Sequence, residues 1–164
     1  MNGMGNRQFA PEKSLTRAEC VMVLYNMSGK APITNVKPTF ADAPVGCWYA
    51  NAVEWAYRNQ ITSGVSSNLF GAEQNITREQ FVSMLSRYAK YRKENVNETS
   101  NALKGYSDKD KVKDYAKESM NWAVGKKIIS GKAVGNGKIL DPEGVASRAE
   151  CAQILSNYME YIGK

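Results

Sequence analysis

Three arginines occupy the same position in three copies of one tetrapeptide. The copies are Thr16–Glu19, Thr77–Gln80 and Ser147–Glu150. Each arginine follows a Thr or Ser, the residue types that cap helix N-termini, so we expect it in the first turn of a helix. A guanidinium there lies beside unpaired backbone N–H groups and can form a forked pair with a carboxylate or phosphate. The pattern predicts an anion seat at Arg17, Arg78 and Arg148. The alternative is that each arginine pairs with an aspartate of a neighbouring repeat and only braces the helices.

Each tetrapeptide opens a stretch whose apolar residues are spaced as on one face of a helix. Counted from the arginine, the apolar positions are +3, +6, +7 and +10. They hold, in that order, Cys20, Phe81 and Cys151; Val23, Met84 and Ile154; Leu24, Leu85 and Leu155; and Met27, Tyr88 and Tyr158. Three equivalent stripes predict three helices packed in matching layers. Because the +3 position accepts both Cys and Phe, we interpret it as a packing position without a disulfide or redox role.

A second set of repeated features precedes each of the last two tetrapeptides. Phe40-Ala41-Asp42 reappears as Tyr106-Ser107-Asp108. Helices are predicted at 49–59 and 117–126, and Ser-Gly pairs follow them at Gly64 and Gly131. These glycines indicate a turn where a side chain would clash or where φ is positive. The aspartates either face the arginines or cap the chain as it enters the helix.

Composition narrows the function classes. The formal net charge is +6, and residues 104–138 hold nine Lys against four acids, which suits an anionic partner or is simply a solvated surface. Basic residues do not alternate with exposed-type aromatics, so no nucleic-acid partner is predicted. Apolar runs fall short of the roughly 20 residues of a membrane helix, so no membrane insertion is predicted. The chain has no His and no CxxC, so we predict no metal site, no cofactor and no enzyme.

The order aromatic-x-Asp, helix, Ser-Gly turn, Thr/Ser-Arg, helix resembles the S-layer homology (SLH) domain. Leu15–Glu19 and Ile76–Gln80 are similar to its ITRAE-type motif, and Ala146–Glu150 matches with two conservative changes. The resemblance implies an all-α fold of tandem helical repeats, with a pseudo-threefold arrangement around a central three-helix bundle and long connecting loops. It divides the chain into the C-terminal half of repeat 1 (1–32), repeat 2 (33–95) and repeat 3 (96–164).

The resemblance also implies a function and its residues. The expected role is non-catalytic anchoring to the cell wall of a secreted bacterial protein whose signal peptide is not in this chain. The expected partner is a secondary cell wall polymer attached to peptidoglycan, anionic and in many cases pyruvylated. The residues implied as ligand-binding are Arg17, Arg78, Arg148, Asp42, Asp108, Trp48, Gly64 and Gly131.

Departures from the family pattern leave alternatives. Repeat 3 has Asp114 where repeat 2 has Trp48. Repeat 1 lacks its front half, so its helix should expose apolar surface that either a preceding segment or a homodimer would cover. The alternative functions are a protein-interaction or spacer array that binds no glycan, and an appendage of a wall-acting enzyme.

Overall fold

The computed structural model describes residues 9–34, 37–97 and 101–163, which form a predominantly helical protein. The helices are α1 (Arg17–Met27), α2 (Ala50–Arg58), α3 (Arg78–Tyr91), α4 (Asp114–Gly125) and α5 (Arg148–Ile162), with short 3₁₀ turns at Ala102–Gly105 and Lys109–Lys111. The strands are β1 (Lys132–Val134) and β2 (Gly137–Ile139). The helical fold class is confirmed. Gly3, the repeat-1 counterpart of Gly64, lies outside the described residues.

The three arginine-led helices begin as the sequence predicts. Thr16, Thr77 and Ser147 each accept a hydrogen bond from the backbone N–H three residues later. The side chain of that third residue, Glu or Gln, bonds back to the backbone N–H of the capping residue, which completes a capping box. The arginine is therefore the first residue of α1, α3 and α5.

The chain divides into two compact units, a continuous unit (15–76) and a discontinuous unit (1–14 with 77–164). In the continuous unit, α1 packs on α2, with the rings of Tyr25 and Trp55 5.4 Å apart. The buried Glu54 carboxylate of α2 accepts hydrogen bonds from Thr39 and from Arg58. The bonds from Thr39 hold the chain directly before the Phe40-Ala41-Asp42 motif.

In the discontinuous unit, the described helices are α3, α4 and α5. The buried Tyr158 ring of α5 lies 6.3 Å from Tyr88 of α3 and 6.4 Å from Trp122 of α4. Residues 9–14 belong to this unit because they bind the start of α5: the Arg148 N–H donates to the Lys13 carbonyl at 2.8 Å.

Within each unit the predicted apolar stripes are largely buried. The +3 and +7 side chains are all buried, and so are those at +6 and +10 in α3 and α5. Val23 and Met27 of α1 are half-buried. Burial raises the pKa of the Cys151 thiol to about 12, as expected for a packed cysteine. The threefold arrangement and the repeat boundaries stay predictions.

Two local features differ from the sequence prediction. The loop expected after Gly131 contains a β-hairpin, in which Lys132 pairs with Ile139 and Val134 with Gly137. Each strand has only three residues, too few for an alternating pattern to be visible in sequence. Helix α4 begins at Asp114, three residues before the predicted start. Its start is fixed from outside, since the N–H of Lys113 donates to Glu79 of α3 at 3.1 Å.

Candidate ligand-binding groove

Each of the three arginines is buried and holds a backbone carbonyl. The Nε of Arg17 donates to the Phe70 carbonyl at 3.1 Å, that of Arg78 to Leu140 at 3.0 Å, and that of Arg148 to Phe9 at 2.9 Å. The arginines are only 4–6% exposed. The guanidinium groups of Arg17 and Arg148 also lie over the rings of Phe70 and Phe9, at 4.8 and 5.0 Å.

The two aspartates of the aromatic-x-Asp motif bind the same backbone segments from the other side. Asp108 accepts the N–H groups of Leu140 and Asp141, both at 2.8 Å. Asp42 accepts three consecutive N–H groups, from residues 70, 71 and 72, at 2.7 to 3.0 Å. Burial opposes charge on Asp42, but these backbone hydrogen bonds outweigh it and lower its pKa.

Arginine and aspartate thus bind one shared peptide segment, and neither aspartate caps the helix that follows it, since α2 and α4 have no side-chain cap. The N–H of residue 70 or 140 binds the aspartate, and its carbonyl binds the arginine. The next residue has positive φ in all three repeats: 50° at Ala10, 78° at Gly71 and 52° at Asp141. The segment therefore turns sharply between the two side chains.

The two Ser-Gly glycines are required for packing. A Cβ on Gly64 would lie 2.5 Å from Cε1 of Phe40, and one on Gly131 would lie 2.5 Å from Cε1 of Tyr106. The aromatic residue of the aromatic-x-Asp motif therefore packs against the glycine that follows it in the same repeat, Phe40 against Gly64 and Tyr106 against Gly131. Only Gly131 also has positive φ, +74°. Steric clash is thus the reason common to both positions.

A groove of about 180 Å³ lies within the discontinuous unit. Its walls are Arg78 at the start of α3, the turn 128–132 and the first turns of α5. Glu150 stands between the two groove cations: its Oε1 lies 3.3 Å from Nη1 of Arg78 and 2.8 Å from Nζ of Lys132. Lys132 also binds the carboxylate of Asp141 at 2.7 Å.

These contacts close into a ring that runs from Asp108 through the 140–141 peptide to Arg78, then through Glu150 and Lys132 back to Asp141. Burial opposes charge on Lys132, but its hydrogen bonds to the two carboxylates outweigh burial and raise its pKa. Burial likewise opposes charge on Glu150, and the bonds from Lys132 and the Ser147 N–H outweigh it and lower that pKa. The charged residues that line the groove therefore carry two positive charges, on Arg78 and Lys132, and one negative charge, on Glu150, at neutral pH.

The structure brings the predicted residues together in sets. Arg78 and Gly131 line the groove, and Asp108 lies behind it. In the continuous unit, Nη2 of Arg17 donates to the carbonyl of Ser63, the neighbour of Gly64. Trp48 is 59% exposed, on the loop before α2, with its ring 5.0 Å from that of Tyr49.

Sequence reasoning missed Lys132 and Glu150, which line the groove, and Asp141, which binds Lys132. The equal offsets from Phe9 to Phe70 and from Arg17 to Arg78 could have signalled that the aromatic position belongs with the arginine. Among the described residues, no cluster of acids and cysteines could hold a metal ion. No helix among the same residues has the length and hydropathy of a membrane span.

The model of the S-layer homology domain matches residues 42–82 and 105–152, more than half of the chain. This chain therefore belongs to the S-layer homology domain family. Such domains are non-catalytic modules that anchor proteins to the cell wall by binding secondary cell wall polymers at the cell surface. The matched segments contain the tetrapeptides Thr77–Gln80 and Ser147–Glu150.

The relatives include both enzymes and surface-layer proteins. The chain is 33% identical over 98% of its length to exoglucanase XynX of Acetivibrio thermocellus, and 30% identical over 99% to amylopullulanase of Thermoanaerobacterium thermosulfurigenes. It is 25% identical over 99% to the surface-layer 125 kDa protein of Lysinibacillus sphaericus. It spans only 14%, 8% and 13% of those three proteins, so most of each lies outside the similarity.

Proposed function

We propose that this chain holds its parent protein to an anionic secondary cell wall polysaccharide, and that the Arg78 groove binds an acid group of that polymer, such as a pyruvate ketal. The observation that carries the proposal is the groove itself. It places a guanidinium and an ammonium, Arg78 and Lys132, on either side of one carboxylate position. A forked donor beside a point charge is suited to a sugar carboxylate.

The distribution of charge supports an anionic partner. Residues 15–76 hold four basic and four acidic side chains, so the whole surplus of +6 belongs to the rest of the chain. That part contains the groove and the lysine-rich segment 104–138. A positive surface of this kind raises the local concentration of an anionic polymer and makes binding sensitive to salt.

Trp48, Arg17 and Arg148 enter the proposal as further ligand contacts outside the Arg78 groove. An exposed indole such as that of Trp48 offers an apolar face on which a sugar ring can stack. Asp42, Asp108, Gly64 and Gly131 act by shaping the loops that present these contacts. The parent protein is either a surface-layer protein or an enzyme, since the relatives include a surface-layer protein, an exoglucanase and an amylopullulanase.

The alternative function, a spacer array that binds no glycan, is favoured by the burial of the three arginines. Their Nε groups are already bonded to carbonyls, which is what a purely bracing role requires. The two functions differ in whether the remaining guanidinium nitrogens of Arg78 take an acid group from outside.

The first experiment is sedimentation of the protein with purified wall sacculi, before and after extraction of the secondary polymer. Anchoring requires binding that disappears with the polymer. The second is titration of wall-polymer fragments into Arg78→Lys, Arg78→Ala and the parent protein. Loss of a charge-assisted contact should cost about 1.5–3 kcal/mol, or roughly tenfold to a hundredfold in affinity. Lysine should recover only part of it, because an ammonium cannot fork.

Lys127→Gln is the matched control. It removes one positive charge outside the groove, at a position where the continuous unit has Gln60 with nearly the same backbone, φ 58° against 59°. Affinity should stay within about twofold of the parent value. Equal affinities for all variants, with the fold intact by circular dichroism, would favour the spacer function.

A further inference from the structure

We propose that Glu150 is an internal occupant of the anion position and lowers the affinity of the groove for acid groups. This inference rests on the proposed function and adds a residue that controls it. A ligand carboxylate that binds both groove cations must take the place now held by Oε1 of Glu150. Arg78 and Lys132 would then exchange one carboxylate for another instead of gaining a new partner.

The geometry fits such an exchange. Oε1 of Glu150 reaches both Nη1 of Arg78 and Nζ of Lys132, whereas Oε2 is engaged elsewhere, accepting the Ser147 N–H at 3.0 Å. One oxygen of Glu150 thus serves the helix cap and the other serves the groove. The groove side chain is accessible, since the Glu150 side chain is 24% exposed and Lys132 38%.

Arg78 keeps its place without Glu150. Its Nε is bonded to the Leu140 carbonyl, its backbone N–H to the Gly144 carbonyl, and its side chain is 7% exposed. Removing the charge of Glu150 should therefore make Nη1 available to a ligand while the guanidinium group of Arg78 keeps its position. Loss of the repulsion between Glu150 and the ligand anion should therefore outweigh any loss in the orientation of Arg78, so the anion should bind more tightly.

The chain contains its own precedent for the test variant. Gln80 fills the position of Glu150 at the start of α3 and completes the same capping box, with its Oε1 accepting the Thr77 N–H at 3.2 Å. Glu150→Gln should therefore keep α5 capped while removing one negative charge. For a charge about 5 Å from the incoming anion and an effective dielectric constant of ~40 to ~80, Coulomb's law gives an affinity gain of roughly fourfold to fifteenfold.

The experiment measures binding of two synthetic probes by calorimetry: a methyl hexoside that carries a pyruvate ketal, and the methyl ester of the same ketal. The proteins are the parent, Glu150→Gln and Arg78→Lys. Glu150→Gln should bind the acid about tenfold more tightly and the uncharged ester equally well. Arg78→Lys should bind the acid more weakly.

A second arm does not depend on the sugar. Inorganic phosphate is titrated while the Arg78 Nε–H and Lys132 Nζ resonances are followed by NMR. Tighter phosphate binding in Glu150→Gln than in the parent supports internal occupancy, even if no ketal binds.

The outcomes separate the two proposals. If Arg78→Lys weakens ketal binding but Glu150→Gln leaves it unchanged or weaker, Glu150 is a positioning residue and the inference is overturned while the function stands. If no protein binds the ketal, the proposed acid ligand fails, and the phosphate arm alone decides the inference. Phosphate affinity that is equal in both proteins overturns it.

Discussion

Replacement of Asp108 by asparagine tests whether the 140–141 peptide, which Asp108 and Arg78 both bind, stabilises the fold and the groove. Asp108 is 9% exposed and accepts two backbone N–H groups, from residues 140 and 141, both at 2.8 Å. Asparagine retains one acceptor oxygen and turns an NH₂ group toward the second N–H. Hydrogen bonds to a charged group contribute about 1.5–3 kcal/mol each, so Asp108→Asn should lower the free energy of unfolding by about 2–3 kcal/mol.

The assay is urea unfolding followed by tryptophan fluorescence and circular dichroism. Asp110→Asn is the control, because the Asp110 side chain is 87% exposed and forms an ion pair with the surface residue Lys109. That variant should change the unfolding free energy by less than about 0.5 kcal/mol. The carbonyl of Leu140 holds Arg78, so Asp108→Asn should also weaken acid binding in the groove. A value for Asp108→Asn as small as that of the control would refute the account of the shared peptide.

Four further outcomes are expected. Gly64→Ala should lose about 2–4 kcal/mol of stability in thermal unfolding because its Cβ meets a ring and a carbonyl, whereas Gly105→Ala, with open space around it, should lose none. Glu79→Ala removes two hydrogen bonds accepted at the start of α4, and a loss of about 1–3 kcal/mol in urea is expected. Ala10 has a positive φ that glycine adopts without strain, so Ala10→Gly should raise the free energy of unfolding by roughly 0.5–1 kcal/mol, and the melting temperature should rise with it. The lowered pKa of Asp42 stabilises the fold above the unfolded-state pKa near 4, so stability should fall as pH drops below it, and less so in Asp42→Asn.

The features that could be predicted from sequence are those fixed by neighbours along the chain. A capping box involves residues three positions apart, so Thr16, Thr77 and Ser147 predict the starts of α1, α3 and α5 from the local sequence alone. The buried stripes follow from the helical period in the same way. The internal repeat strengthens these helix predictions, since the same motif at the same position in three copies makes each copy easier to interpret.

The role of the arginines could not be predicted because their partners are backbone atoms far along the chain. A carbonyl has no sequence signature, and Arg78 lies 62 positions from the one it holds. The cations around Glu150 could not be predicted for a different reason. Lys132 follows Gly131, whereas Val65 follows Gly64, so comparison of the repeats does not indicate a cation at this position.

The contact between Arg148 and Phe9 gives this fold an order of assembly. It joins positions 139 apart, while Arg17 and its carbonyl are 53 apart. The difference in loop-closure cost is small, roughly 0.9 kcal/mol, so both contacts are affordable at equilibrium. The two contacts differ in when they can form during synthesis. At about 5–20 residues per second, Arg148 is made ~7 to ~30 s after Phe9. The continuous unit can therefore close while the chain is still growing, whereas the Phe9 carbonyl cannot bind Arg148 until α5 has been made.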